Sequence, residues 1–540
     1  MLITAAPWTR LRTCIFAIFV VLLLLAGCGR EQAGEKTATG TAAGNGELLY
    51  TVADATGDWG LPAPYTHYAR GPGYIRMSLV FDTLVWKDSQ GYIPALANSW
   101  EYNKNENSYT FELNNNVTWH DGEKFTAKDV VFTIDYTRAH PYQWVDTGIV
   151  KKVEAQGDYT VKMYLDKPYA PFLEYVGGTL PILPEHIYKD VKSPEQFQTK
   201  EACTGTGPFM LEDYNKAQGT YLFKRYDNYY QGKPRVAEIK FVKIGNEAVA
   251  AALRQKQVNA AGVPPELSGT LEKEGFKILP GSHDWVAKLA INHQKEPLSN
   301  KEFRQALAYA IDRQALVDTC LRGYGMPASP GLIPPDNRWY NNKLNDAYPY
   351  DPARAEEIIK KLGYEKKGDY FEKNGQPLQL ELLFGAGNGG NVGDREGELI
   401  KSQLERVGIK INLQGIEAKT LDSRVKDWKF DLALSGHGGL GGDPAQMSKF
   451  IAGQDFNSAR YLKNQTMLEE LKKQISLTDP VKRKECLDKV QELYAEEIPA
   501  LPLYYNTYYW AHDGQVNLYY TVRGVGLGVP IPLNKMSFVK

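Results

Sequence analysis

Between Ala95 and Asp135 the chain reads ALANSWEYNKNENSYTFELNNNVTWHDGEKFTAKDVVFTID, a stretch dense in local structural signals. Tyr109, Phe111 and Leu113 alternate with polar neighbours, the period of a strand buried on one face. The polar run Asn103 to Asn107 suits a hairpin loop, and Asp121-Gly122 supplies a turn. Thr126 and Asp129 have capping-box spacing, with Phe125 placed to staple onto Val130, so a helix is expected from Thr126 onward.

Taken together, the phrases LANSW, YTFEL, VTWHDG and FTAKDVVF resemble the signature of the family 5 extracellular solute-binding proteins, the peptide, nickel and oligopeptide receptors of ABC importers. Further phrases extend the resemblance: Phe81-Asp82-Thr83-Leu84-Val85, Gly91-Tyr92-Ile93-Pro94, Leu183-Pro184-Glu185-His186-Ile187, Gly205-Thr206-Gly207-Pro208-Phe209, Tyr226 to Pro234, and EFRQALAYAIDRQALV. Lys256-Gln257-Val258-Asn259 departs modestly from the family's Gly-Glu-Ile-Asp. The resemblance runs from about Leu48 to Lys540. It implies an α/β, two-lobed, periplasmic-binding-protein-like fold (type II, cluster C) with an extra subdomain in lobe I. Lobe I is expected over 47–288 and 505–540, its subdomain over about 90–200, and lobe II over 289–504. By the same analogy the chain crosses between lobes near Leu289 to Gln294 and Leu503 to Trp510.

The N-terminus bears on location. Arg10 and Arg12 precede an apolar run, Ile15 to Leu25, too short to span a membrane comfortably. It ends in Leu25-Ala26-Gly27-Cys28, which resembles the lipobox of bacterial lipoproteins. That implies a signal peptide over 1–27, lipidation of Cys28 and attachment to the membrane facing the periplasm or cell exterior. Residues 28–46 are rich in Gly, Ala, Thr, Glu and Lys and read as a flexible tether. With Cys14 lost with the signal, Cys203, Cys320 and Cys486 remain, without CxxC spacing; one pair is possible, and spacing does not choose it.

The 540 residues carry 63 basic and 64 acidic side chains, so no global field argues for nucleic acid. Thirty-four tyrosines and ten tryptophans suit either semi-polar recognition surfaces or an ordinary aromatic core. Ser299 and Glu302 read as a capping box for the helix bearing Phe303, Ala306, Leu307, Ala310 and Ile311. Asp351-Pro352 and Asp479-Pro480 each open another helix. The eight histidines are scattered, without HExxH, and neither GxSxG nor a nucleophilic cysteine motif occurs. His120 reads as structural. No catalytic residue, cofactor or resident metal is expected.

The loop Gly57 to Tyr74, broken by Gly and Pro and rich in aromatics, follows the first strand, which in this family borders the ligand cleft. The resemblance therefore makes Trp59, Tyr65 and His67 candidate ligand contacts. Arg395 stands thirteen residues before Gly408, the spacing of the arginine that meets the ligand carboxylate in dipeptide-binding members. Gly436 to Pro444, GHGGLGGDP, follows a strand at Phe430 to Leu434, where peptide-binding relatives carry an aspartate for the ligand's ammonium. That aspartate falls on Leu440, which cannot accept a hydrogen bond. Asp443 matches the second aspartate and is placed to cap a helix or to substitute. The glycines, Gly438 among them, allow close backbone approach to a ligand, and His437 offers a hydrogen bond or a metal ligand. Ordinary peptides are expected to bind poorly unless another carboxylate substitutes.

The resemblance thus implies a monomeric substrate-binding lipoprotein that captures a peptide-like or related small solute and delivers it to an ABC permease and ATPase. A nickel–chelate receptor is the alternative ligand class, and a sensory receptor the alternative role.

Overall fold

The computed structural model describes residues 47–88, 91–386, 392–521 and 532–539. The signal-like segment, Cys28 and the tether lie outside them. Tyr50, Thr51, Val52 and Ala53 are buried on both faces of the strand Leu49–Asp54, as a central parallel strand requires. It pairs in parallel with Glu238–Lys243 on one side and Ala260–Val263 on the other. Together with Thr220–Arg225, Phe209–Asn215, Lys277–Pro280 and Tyr509–His512 these make the seven-stranded sheet of lobe I.

A four-stranded antiparallel sheet is inserted between the first strand and the rest of lobe I. Its strands are Ala97–Asn103, Ser108–Leu113, Thr160–Leu165 and Val150–Ala155. The helix Ala127–Ala139 packs beside it and begins as the sequence indicates: Thr126 Oγ1 accepts from Lys128 N, and Asp129 returns a carboxylate to Thr126 N. His120 is structural here. Its Nε2 meets the Gly207 carbonyl at 2.9 Å, Gly205 N donates to its Nδ1, and burial lowers its pKa to about 4. Gly205 and Gly207 are needed for close approach rather than for positive φ, since a Cβ on either would lie 2.0 or 2.5 Å from a carbonyl of Val80 or Leu79.

Lobe II is a six-stranded mixed sheet in the order Gly325–Pro327, Ala500–Asn506, Trp285–Ile291, Leu432–His437, Gln379–Ala386, Lys410–Glu417. The chain leaves the lobe I sheet at Pro280 and enters this one at Trp285, so the first crossing is 281–284 and not 289–294. Leu289 lies inside a central strand already paired on both sides, to Leu434 and Leu501. The second crossing is 507–508, between Asn506 and Tyr509.

One expected cap is displaced. The helix Lys301–Ala310 is capped by Asn300, whose Oδ1 accepts from Phe303 N at 2.9 Å, while the Ser299 hydroxyl turns to Glu296. It ends at Ile311, and Asp312 caps a separate helix, Arg313–Cys320. Asp351 and Asp479 cap Pro352–Lys361 and Pro480–Glu497 as expected. Cys203, Cys320 and Cys486 are all buried free thiols, so the possible pairing does not form. No helix among the described residues is long and apolar enough to cross a membrane.

Candidate functional site

The two crossings run side by side. Gly281 N donates to the Tyr508 carbonyl at 2.7 Å, and the Thr507 hydroxyl meets His283 Nε2 at 2.9 Å. The lobes touch beyond this hinge: Ala170 N of lobe I donates to the Ile475 carbonyl of lobe II, and Gln446 reaches Tyr175. Ala445 packs against the lobe I core. The lobes are therefore in contact at the Ala170–Ile475 and Gln446–Tyr175 pairs as well as at the hinge.

On lobe I, where the loop after the first strand turns, lies a cavity of about 590 Å³ lined by Asp58, Trp59, Tyr68, Arg70, Tyr214 and Lys216 among others. That volume is ordinary for a small-solute site. Asp54, at the end of the strand, organises the loop. Its Oδ1 accepts from Thr56 N and Gly57 N, and its Oδ2 accepts from Trp59 Nε1 and from Arg76, both at 2.7 Å. Trp59 N donates to the Tyr221 hydroxyl. Gly60 has φ +79°, and a Cβ there would lie 2.4 Å from the Thr66 carbonyl, so the turn admits glycine alone.

Asp58 accepts from the Tyr214 hydroxyl at 2.6 Å and from Gly60 N at 3.0 Å. Burial raises its pKa, but these hydrogen bonds and the nearby Lys216 charge outweigh burial, and the carboxyl sits below its usual range. Arg70 stands toward lobe II. There burial, Asp455 and Glu417 raise the Asp422 carboxyl, and the Arg70 charge opposes the rise.

Of the residues expected at the site, Trp59 lines this cavity. Tyr65 and His67 do not. The Tyr65 hydroxyl donates to the His140 carbonyl at 2.7 Å, with its ring edge-on to Tyr136 and Tyr142. His67 is buried, its Nδ1 on the Tyr68 carbonyl and its Nε2 beside the Tyr142 hydroxyl, and burial lowers its pKa to about 4. Both pin the loop to the inserted subdomain.

The glycine loop of lobe II faces its own hinge. Cβ atoms on Gly436 and Gly441 would lie 2.8 Å from Trp285 Nε1 and 1.5 Å from Asp284 Oδ1, so these glycines let the loop approach Trp285 and Asp284. Gly438 also abuts Trp285, with 3.7 Å from its would-be Cβ to the ring. His437 stacks on Phe450 at 3.6 Å between centroids, Nδ1 on the Gly438 carbonyl, and burial drives its pKa well down. Leu440 belongs to the lobe II core with Val286, Trp339 and Met447. Asp443 receives Arg483 on both oxygens, at 2.6 and 2.8 Å, and also accepts from Ala445 N. Arg395 is exposed on the helix Val392–Arg406, close enough to buried Cys320 for its charge to be felt there.

Asp58, Tyr68, Arg70 and Lys216 were missed. Asp58 and Tyr68 share the aromatic loop with Trp59 and could have been drawn from it; Lys216, in a hairpin far along the chain, carries no local signal.

Two α/β lobes joined by paired short crossings, with a cavity lined by lobe I residues of the loop after the first strand, define a periplasmic-type binding protein. The family model for bacterial extracellular solute-binding proteins, family 5 (middle region), matches residues 91–458, and the chain belongs to that family. It is 28% identical over 451 residues to the dipeptide-binding protein of Escherichia coli strain K12, covering 77% of this chain and 81% of that one. To the nickel-binding periplasmic protein of the same organism it is 26% identical over 449 residues, covering 79% and 84%. Among solved structures, NikA from Brucella suis in complex with Fe(III)-EDTA matches with a TM-score of 0.78 at 23% identity, over 90% of this chain and 99% of that one, which bears on the fold.

Proposed function

We propose that this protein captures a peptide-like zwitterionic solute between its lobes and hands it to the permease and ATPase of an ABC importer. As a family 5 solute-binding protein it acts by binding, outside the cytoplasm, and not by catalysis. The observation that carries the ligand class is the cavity at Trp59, which sets one carboxylate, Asp58, and two cations, Arg70 and Lys216, around aromatic walls. A bare metal ion fits this wall poorly. Among the described residues no three or more His, Cys, Asp or Glu side chains converge, and His437 is buried under Phe450.

Of the described residues, 47–280 and 509–539 form lobe I and 285–506 form lobe II in this reading, hinged at the two crossings. A ligand closes the lobes only by binding the closed form better; moving the balance from 1:99 to 99:1 takes about 5.5 kcal/mol of differential affinity. Residues 1–27 are a signal peptide, and lipidated Cys28 with the tether to residue 46 holds a monomeric receptor beside its permease. Arg395 remains a second candidate for the ligand carboxylate.

Native mass spectrometry of gently purified protein, followed by calorimetry against di- and tripeptides and against nickel with histidine, tests the ligand class. Submicromolar peptide binding is expected; a nickel–histidine complex bound with peptides silent would overturn it.

A further inference from the structure

We infer that Asp58 is the anchor for the ligand's ammonium group, and that Arg70 and Lys216 receive its carboxylate. The inference rests on the peptide-like reading and adds a chemical orientation to it. Every hydrogen bond that Asp58 receives from the described residues arrives at Oδ1, from the Tyr214 hydroxyl at 2.6 Å, Gly60 N at 3.0 Å and, weakly, the Tyr221 hydroxyl at 3.4 Å. Among the described residues none donates a hydrogen bond to Oδ2, and the Lys216 charge acts on the carboxylate from nearby. A carboxylate oriented by one oxygen and open at the other is a charge-assisted acceptor held ready for a cation.

The rest of the cavity fits an organic ammonium. The Trp59 Nε1 donor is engaged by Asp54 at 2.7 Å, so the indole offers its ring surface. Tyr68, 62% exposed, stands beside it with ring centroids 6.2 Å apart and planes inclined by 59°, an aromatic corner that attracts a cation and accepts an apolar side chain. Arg70 and Lys216 form no close ion pair with a described residue, though Lys216 is near enough to Asp58 and Arg70 near enough to Asp422 for their charges to be felt, and the cavity lining itself holds two positive charges to one negative. A free peptide sets its ammonium against Asp58 and its carboxylate against the two cations, and a peptide with a second carboxylate balances the charge in full. In lobe II, Asp443 is committed to Arg483 on both oxygens and cannot take the ammonium without releasing it.

The test is calorimetry on the whole protein with Ala-Phe, N-acetyl-Ala-Phe and Ala-Phe amide, with thermal melting as the folding control. In the unmodified protein, acetylation should weaken binding about 10- to 100-fold, the range for losing a hydrogen bond between charged groups. Asp58→Asn should weaken Ala-Phe by a similar factor and bind the free and acetylated peptides alike, and Asp58→Glu should restore a preference for the free amine. If Asp58→Asn keeps the full acetylation penalty, the anchor is wrong while the peptide reading stands. If none of the three peptides binds the unmodified protein, the peptide reading falls, and the anchor with it. Should Asp58→Asn fail to fold, Arg70→Gln with Lys216→Gln reads the other end: equal affinity for acid and amide is required, and a retained preference for the acid overturns the orientation.

Discussion

Gln446 of lobe II donates from Nε2 to the hydroxyl of Tyr175 in lobe I, 2.5 Å away, and both side chains are buried. The bond exists only while the lobes are together, so it weighs on the closed side of the equilibrium. A neutral hydrogen bond contributes about 1 kcal/mol net. Tyr175→Phe should therefore weaken binding of the co-purified solute by about fivefold and enlarge the solution radius of gyration. Unchanged affinity and unchanged X-ray scattering would remove this contact from the closing mechanism.

The Asp443–Arg483 pair is nearly dry, with side-chain exposures of 9% and 5%, and Gln474 Oε1 holds the guanidinium from the other side. Arg483→Ala strands a buried carboxylate and should cost about 3–5 kcal/mol in urea unfolding. Replacing both partners with apolar residues should recover most of that loss. A single-mutant loss under about 1 kcal/mol would show that water reaches the site freely.

Glu396 is buried beside Tyr504 and Cys320, and burial raises its pKa to about 7 against the Tyr504 hydrogen bond. Between the ordinary carboxyl pKa, about 4.3, and 7, the native protein keeps a proton that the unfolded chain has lost. Stability is then full below this window and falls as pH rises through it, by on the order of 3 kcal/mol. Glu396→Gln should flatten that slope and be the more stable form at pH 8. Identical urea midpoints for the two proteins at pH 8 would contradict this.

Cys28→Ser should abolish both cleavage at this site and metabolic palmitate labelling. Normal labelling in the variant would exclude the lipobox.

Signals confined to a few residues survived folding. Thr126 and Asp129 cap each other because both halves of the box lie within one turn. Ser299 and Asn300 are both competent caps, and the choice fell to Asn300, with the Ser299 hydroxyl drawn to Glu296 instead. The family phrases located two lobes, yet Leu289 to Ile291 is apolar in either sheet, and the strand pattern could not say which sheet owned it. In the aromatic loop, Trp59 and Tyr65 are equivalent on paper. Tyr136 and Tyr142, more than seventy residues away, enclose one of them, and Asp54 turns the other to the cavity. Asp443 looked like a local cap, and the Ala445 N bond agrees, but its charge belongs to Arg483 forty residues on.

The strand Tyr509–His512 lies inside the lobe I sheet, between Lys277–Pro280 and Ala260–Val263. The lobe begun at the N-terminus thus cannot complete its pairing until nearly the whole chain is available, and that long-range closure makes folding slow. Until Tyr509–His512 arrives, Ala260–Val263 lacks its partner on that side and Lys277–Pro280 has no link to the sheet, so the lobe that starts first is sealed by a late segment.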